Sequence, residues 1–410
     1  MKEDWTECCF EDLLDYEQPT KYIVKSTKYN DIYKMPVLTA GKSFIKGYTN
    51  ETDGIFENLP TIIFDDFTTA TQYVNFKFKV KSSAMKILVP TSKLVNMPLA
   101  FYAMQVNQVR SDTHKRYWIS VFAKKKFLLP PLVEQTAIVK KIEELFSSLD
   151  SGIADLKKTQ DQLFIYRQAV LKKAYEGKLT NSVMRKEKLS SISTKIGDGL
   201  HGTPNYDEIG SYFFINGNNL NDGKILIKPE TKRVNKNEYL KYKKDLDETT
   251  VFVSINGTIG NTAYYNNEPV VLGKSACYVN VTNDLDKKYL RYNFLSSEFL
   301  NYAIKNATGS TIKNVGLKTI RAYLVPLPKT KKEQYQIIKE IETRLSVCDS
   351  VEQNITESLE IAIALRQSIL KKAFDGTLLN KEEIALCRKN KEYEPASVLL
   401  EKIRAEKKLK

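Results

Sequence analysis

Two stretches of the chain, Gly41-Lys42-Ser43 and Gly273-Lys274-Ser275, end as a phosphate-gripping loop ends. Such a loop also needs a glycine five residues before the one that precedes the lysine, and Pro36 and Glu268 stand there instead. Neither stretch is a nucleotide site. The chain has only two histidines, His114 and His201, far apart and without cysteine companions, so a histidine-based zinc or catalytic cluster cannot be built. Asp65-Asp66 pairs two acids, but adjacent side chains on a strand or turn point in different directions and do not converge on a metal. No Asn/Asp-Pro-Pro-Tyr motif is present. The expectation is a chain without catalytic residues, metal or cofactor of its own.

A different chemistry is abundant. Gly197-Asp-Gly-Leu-His-Gly-Thr-Pro204, Asn216-Gly-Asn-Asn219, Asn256-Gly-Thr-Ile-Gly260 and Thr308-Gly-Ser-Thr-Ile-Lys-Asn314 combine glycine with small donors and acceptors. Such groups pair with base edges and phosphates, and loops let them reach a groove. Each alone reads as an ordinary turn; four in so short a span, in a chain of formal charge +14, point to a polyanion.

The elements that would position these loops follow from an internal repeat at a separation of 199 residues. Glu134-Gln135 recurs as Glu333-Gln334, Asp150-Ser151 as Asp349-Ser350, and Arg167-Gln168 with Leu171-Lys-Lys-Ala174 as Arg366-Gln367 with Leu370-Lys-Lys-Ala373. About 17 of the 46 positions from Glu134 to Leu179 are identical to their counterparts, which marks a duplication. Each copy reads as a long helix. Ile142, Leu149, Leu156, Leu163 and Val170 fall seven apart, with Ile138, Leu145 and Tyr166 between them; Ile341, Cys348, Ile355, Ala362 and Ile369 do the same, joined by Ile337, Val351 and Leu365. Pro130-Pro131 and Pro326 with Pro328 precede the helices, and Gly177 and Gly376 stand where they would stop. The expected mate of each helix is the other; the alternative is that each packs on its neighbouring domain.

The resulting plan is domain, helix, domain, helix: 1–130, 131–180, 181–328, 329–379 and a tail at 380–410. Strand-like runs at Thr61–Phe64, Lys86–Val89, Tyr212–Ile215, Thr250–Ile255 and Ala276–Val281 alternate with turn signals, and short helices are expected at Pro98–Val109 and Asp286–Asn306. The fold class is α+β. Five cysteines without a CxxC pair suit reduced thiols, and no stretch reaches 18 uninterrupted apolar residues, so an intracellular, cytoplasmic protein is expected.

These residues together resemble the specificity subunit of type I restriction-modification systems. The similarity spans essentially the whole chain and rests on the proline-rich leads into Glu-Gln, the Arg-Gln-x-Val/Ile-Leu-Lys-Lys-Ala-Tyr/Phe-x-Gly helix ends, and the tail Glu394-Pro-Ala-Ser-Val-Leu-Leu-Glu-Lys-Ile-Arg404. In the second domain it extends to Asp198–Pro204, Asn256–Asn261 and Ser310–Asn314. The resemblance implies two mixed α/β target-recognition domains in a pseudo-twofold repeat, each reading half of a bipartite double-stranded DNA site. It implies that the helices form an antiparallel intramolecular coiled coil and dock two methyltransferase subunits. Restriction subunits would complete the complex, and methylation, ATP hydrolysis and cleavage would belong to these partners. The first domain departs from the second, with Thr39–Ser43 and Ile63–Thr71 in place of the His-Gly-Thr-Pro and Gly-Thr-Ile-Gly loops.

The candidate DNA contacts are His201, Thr203, Asn205, Asn218, Asn219, Lys274, Thr311 and Lys313 in the second domain, and Lys42, Thr69, Gln72, Lys115 and Arg116 in the first. Exposed helix faces around Glu134, Gln135, Arg167, Gln168, Arg366 and Gln367 are candidate partner-binding surfaces, with intramolecular packing as the competing account. A structural adaptor between protein partners and a type IIB-like recognition subunit remain the alternative functions. Two groove-reading surfaces need a fixed separation, which helix length would supply.

Overall fold

The computed structural model describes residues 3–39, 41, 43–107 and 116–409. The repeat appears first in two long helices, α1 (Leu132–Tyr175) and α2 (Lys331–Asp375). The chain divides into two compact units, one of 1–155 with 357–410 and one of 156–356, so each long helix contributes a half to each unit.

In the first unit a four-stranded antiparallel sheet runs in the order Leu14–Glu17, Met85–Pro90, Thr61–Asp65, Thr71–Val74. A three-stranded sheet orders Ile45–Thr49, Met35–Leu38 and Lys79–Val80, its last pair parallel. Thr6–Cys9 pairs with Lys126–Leu129 beside the start of α1. The core joins Phe10, Phe64, Trp118, Phe122 and Phe127 to Ile138 and Ile142 of α1 and to Ile369, Leu370 and Ala373 of α2. The tail belongs to this core. Its last helix, Ala396–Lys408, buries Leu399, Leu400 and Ile403 there, and Arg404 grips both carboxylate oxygens of Asp12 at 2.9 and 3.0 Å.

The second unit repeats the plan. A four-stranded antiparallel sheet orders Ser193–Asp198, Ala276–Val281, Thr250–Ser254, Thr262–Tyr264. A three-stranded sheet orders Arg233–Val234, Tyr212–Ile215, Val270–Leu272, again with its last pair parallel. Arg185–Lys188 pairs with Leu324–Leu327. Strand for strand, the sheets match those of the first unit although their loops share little sequence. The expected helix over Asp286–Asn306 is two helices, Lys287–Phe294 and Ser297–Lys305. Ser296 breaks it, because its hydroxyl accepts the amide of Phe299 and caps the second segment.

Within each unit the half-helices run antiparallel. In the first, Arg366 of α2 pairs with Asp150 of α1 and lies 4.3 Å from the Phe146 ring centre. In the second, Arg167 of α1 pairs with Asp349 at 2.7 Å and Glu352 at 2.8 Å on α2. The two Arg–Asp pairs are equivalents under the 199-residue repeat. Along the α2 seam Ile341, Cys348, Ile355, Ala362 and Ile369 are all buried, whereas Leu149, Leu156 and Leu163 of α1 are half-buried. Tyr166 and Leu365, assigned to the seam from their spacing, stand 46% and 45% exposed. The seven-residue series itself stays on the seam to its end, with Val170 and Ile369 buried, so the two exposed side chains lie at its edge.

Candidate nucleic-acid interface

In the second unit, loops far apart in sequence are knitted into one surface by backbone hydrogen bonds. Leu200 donates its amide to Leu272 O at 2.7 Å, Ile255 to Ser275 O at 3.0 Å, and Val315 to Ile255 O at 2.8 Å. Asn314 and Thr308 exchange amide hydrogen bonds at 2.8 Å, and Gly257 donates to Lys313 O at 3.2 Å. Glycine permits the closest approaches: a Cβ on Gly199 would fall 2.1 Å from Leu272 O, and one on Gly273 2.1 Å from the Asn216 side-chain oxygen.

The result is a polar cleft of about 350 Å³ lined by Asp198, His201, Asn256, Lys274 and Asn314 and closed by the apolar turn from Val315 to Leu317. His201 Nε2 lies 2.7 Å from Asp198 Oδ2, which holds the ring at the rim. Asn256 Nδ2 donates to Asn314 Oδ1 at 3.1 Å, leaving the Asn256 carbonyl oxygen and the Asn314 amide as a matched acceptor and donor. Lys274 is exposed at the same cleft, and Thr311 and Lys313 are exposed on the adjoining loop. Five of the nominated side chains (His201, Thr203, Lys274, Thr311 and Lys313) thus sit on exposed loops of one unit.

The remaining candidates divide. Asn218 is exposed, but its neighbour Asn219 is only 7% exposed. Its Oδ1 accepts from Asn216 N at 2.9 Å and its amide donates to Leu226 O at 2.9 Å, so it builds the turn and offers nothing to a groove. Asn205 is exposed and anchored to Glu238 through its backbone amide at 3.0 Å and its side chain at 3.3 Å. In the first unit Arg116 is exposed and Gln72 half-buried on its strand. Thr69 is corrected: it is 5% exposed, at φ 58° in the turn after Asp65, and its amide donates to Asp65 O. Lys42 and Lys115 lie outside the described residues, as do His114 and the end of the helix expected to reach Val109. Asp65 and Asp66 diverge, since Asp65 caps the amides of Phe67 and Thr68 while Asp66 accepts from Trp118 N. Among the described residues no cluster of histidine, cysteine and acids could hold a metal ion.

The helix-face candidates also need correction. Glu134 and Gln135 are 5% and 2% exposed, not on an open face. Glu134 accepts the Trp5 indole N–H at 2.7 Å and the Tyr393 hydroxyl at 3.3 Å, and Gln135 donates to Pro130 O at 2.8 Å. Gln168 is half-buried, donating to Leu295 O and accepting from Ser297 N. Arg167 and Arg366 are engaged across the helices, and Gln367 alone of the six is exposed. Most of the six are thus engaged in contacts within the chain.

Sequence reasoning passed over Asn256, Asn314 and Asp198, although it singled out their loops. Asn256 and Asn314 are 58 residues apart, and only the strand-like bridge between them makes them one pair.

The family described as type I restriction modification DNA specificity domain matches the chain twice, over residues 2–159 and 186–361. The specificity subunit of the type I restriction enzyme EcoR124I/EcoR124II of Escherichia coli is 32% identical over 381 residues, covering 87% of this chain and 89% of that relative. The EcoKI specificity subunit of Escherichia coli strain K12 is 27% identical over 314 residues, covering 68% and 63%. A chain from a structural study of complex assembly and conformational transition of the type I R-M system shares the fold, with TM-score 0.65, 15% identity and coverage of 91% and 98%. The HsdS subunit from Thermoanaerobacter tengcongensis does so with TM-score 0.50, 16% identity and coverage of 92% and 98%. A double family match spanning most of the chain, on a fold built twice around paired helices, makes this protein a member of the type I restriction-modification specificity subunits.

Proposed function

We propose that each unit reads one half of a bipartite duplex DNA site, and that in the second unit the reading surface is the cleft around His201, Asn256, Lys274 and Asn314. The observation that carries this is the cleft itself: an amide donor and an amide acceptor fixed side by side, beside an exposed lysine, in a chain of net charge +14. Asparagine amides suit base edges, and Lys274 with Lys313 suits flanking phosphates. In the first unit Gln72 and Arg116, with Lys42 and Lys115, are the proposed DNA-facing residues. The chain is the non-catalytic part of the assembly; methyltransferase and restriction subunits supply the chemistry.

Among the described residues no helix is long and apolar enough to cross a membrane. We assign the protein to the cytoplasm, where its DNA and partner subunits meet. Of the partner-binding candidates, Gln367 with the outward edges of Arg167 and Arg366 is retained as a docking position.

The test is a map of methylated adenines after co-expression with the cognate methyltransferase in a host lacking its own adenine methylation. A two-part motif with a fixed spacer is expected. A stable complex with active methyltransferase that leaves no new methylation would instead favour a protein adaptor.

A further inference from the structure

The first unit holds a cavity of about 260 Å³ that the DNA-reading role does not use. Ile138, Leu378, Leu379 and Ile384 form apolar walls, and α2 ends at its edge with Ala373 and Gly376, where a helix carries its negative pole. Glu3, Asp4 and Glu134 add three carboxylates against one cation, Arg388, which pairs with Glu3 at 3.7 Å.

Glu134 is the unusual group. It is 5% exposed, yet the donors at its carboxylate are neutral, the Trp5 indole at 2.7 Å and, at 3.3 Å, the Tyr393 hydroxyl that lies closer to Asp4 at 2.8 Å, and it forms no ion pair among the described residues. Its counterpart under the repeat, Glu333, is only half-buried at the start of α2 and accepts from the amide and hydroxyl of Thr330 at 2.8 and 2.9 Å. The duplicated helix start therefore does not require burial; Trp5 and the tail create it. A buried carboxylate without a cation is costly, and a cation brought by a guest would offset that cost.

We propose that this cavity binds an alkylammonium or alkylguanidinium group, the aliphatic stem lying against Ile138, Leu379 and Ile384 and the cation reaching Glu134. The guest is a free amine or a basic side chain of a partner subunit. The proposal stands on the geometry of the first unit and is independent of how DNA is read.

Trp5 lines the cavity, and the only other tryptophan, Trp118, is 2% exposed in the core, so intrinsic emission reports the site. The full chain is titrated with n-butylammonium chloride at constant ionic strength, with n-butanol as the uncharged control. A saturable change is expected with the ammonium alone, absent in Trp5→Phe and weakened about tenfold or more in Glu134→Gln, since the lost interaction is charge-assisted. Arg388→Ala, which removes a competing cation from an exposed position, should tighten binding and decides the matter if Glu134→Gln fails to fold. No saturable change, an equal response to butanol, or binding indifferent to Arg388→Ala would overturn the proposal. Repeating the titration on the chain assembled with its methyltransferase subunits separates the two sources. Loss of the response assigns the site to a partner side chain, and retention assigns it to a free amine.

Discussion

At the scale of single residues, the cleft of the second unit separates groups that reach outward from groups that build the surface. Lys274 and Lys313 are exposed and should act through charge. Replacing either with alanine is expected to weaken cognate and unrelated duplexes alike and to lower the slope of log affinity against log salt by about 0.9 for each phosphate left unneutralised, measured by fluorescence anisotropy. Asn256→Ala or Asn314→Ala should instead relax base choice at one position, by about 1–3 kcal/mol of discrimination. Asn219, spent on Asn216 and Leu226, should behave differently. Asn219→Ala is expected to cost about 1–3 kcal/mol in urea unfolding, because it removes a buried side chain that satisfies two partly buried backbone groups, and to leave base preference unchanged in whatever folds. The contrast between neighbouring asparagines tests the division of labour directly.

A second residue-scale consequence concerns acid. Burial alone would raise the Asp12 carboxyl, but hydrogen bonds from Arg404 and the Cys9 amide with the Arg404 charge hold it below the usual carboxylate range. A carboxylate depressed in the folded state adds stability above its unfolded value and loses it as pH falls through the folded one. The wild-type chain should therefore lose more stability between about pH 5 and pH 3 than Arg404→Ala, followed by urea midpoints at each pH. Equal losses would mean that this pair does not tie the tail to the N-terminal segment energetically.

Elements carry most of the stability. Ile142 and Ile341 are fully buried where the long helices enter their units, and truncation of either to alanine is expected to cost about 2–5 kcal/mol. The Arg366–Asp150 and Arg167–Asp349 pairs are partly exposed, so each should couple by less than about 1 kcal/mol in a double-mutant cycle. Exchanging Arg366 and Asp150 should restore most of what either single reversal loses. The helices were legible because heptad spacing and duplication are local and repeated; strand runs such as Thr61–Asp65 and Ala276–Val281 were legible as short apolar runs rich in β-branched and aromatic residues, set between turn signals. The break at Ser296 was less so, since a serine caps a helix only if the chain has turned before it.

For the whole molecule, α1 and α2 are continuous through both units, and the functional reading makes helix length the determinant of target spacing. Removing one heptad from both helices together is expected to shorten the spacer of the methylated motif while leaving the bases of each half-site unchanged. An unaltered spacer in an active complex would sink that account. The duplicated sheets support two readers of common design, each with a four-stranded and a three-stranded sheet, whose divergent loops suit different half-sites.

The amino-acid sequence by itself determined the duplication, the long helices, the α+β class and the family, because these are written in periodicity and in motifs that survive without knowledge of tertiary packing. Only the tertiary structure decided which polar residues face outward. Asn218 and Asn219 are neighbours of the same type, and one is exposed while the other is locked in a turn. Glu134 and Glu333 share a motif, and Trp5 with the tail buries the first while the second, half-buried, caps its own helix. The physical reason is the same in both cases: exposure and hydrogen-bond partners are set by segments distant in sequence, and residue type and local spacing carry no record of them.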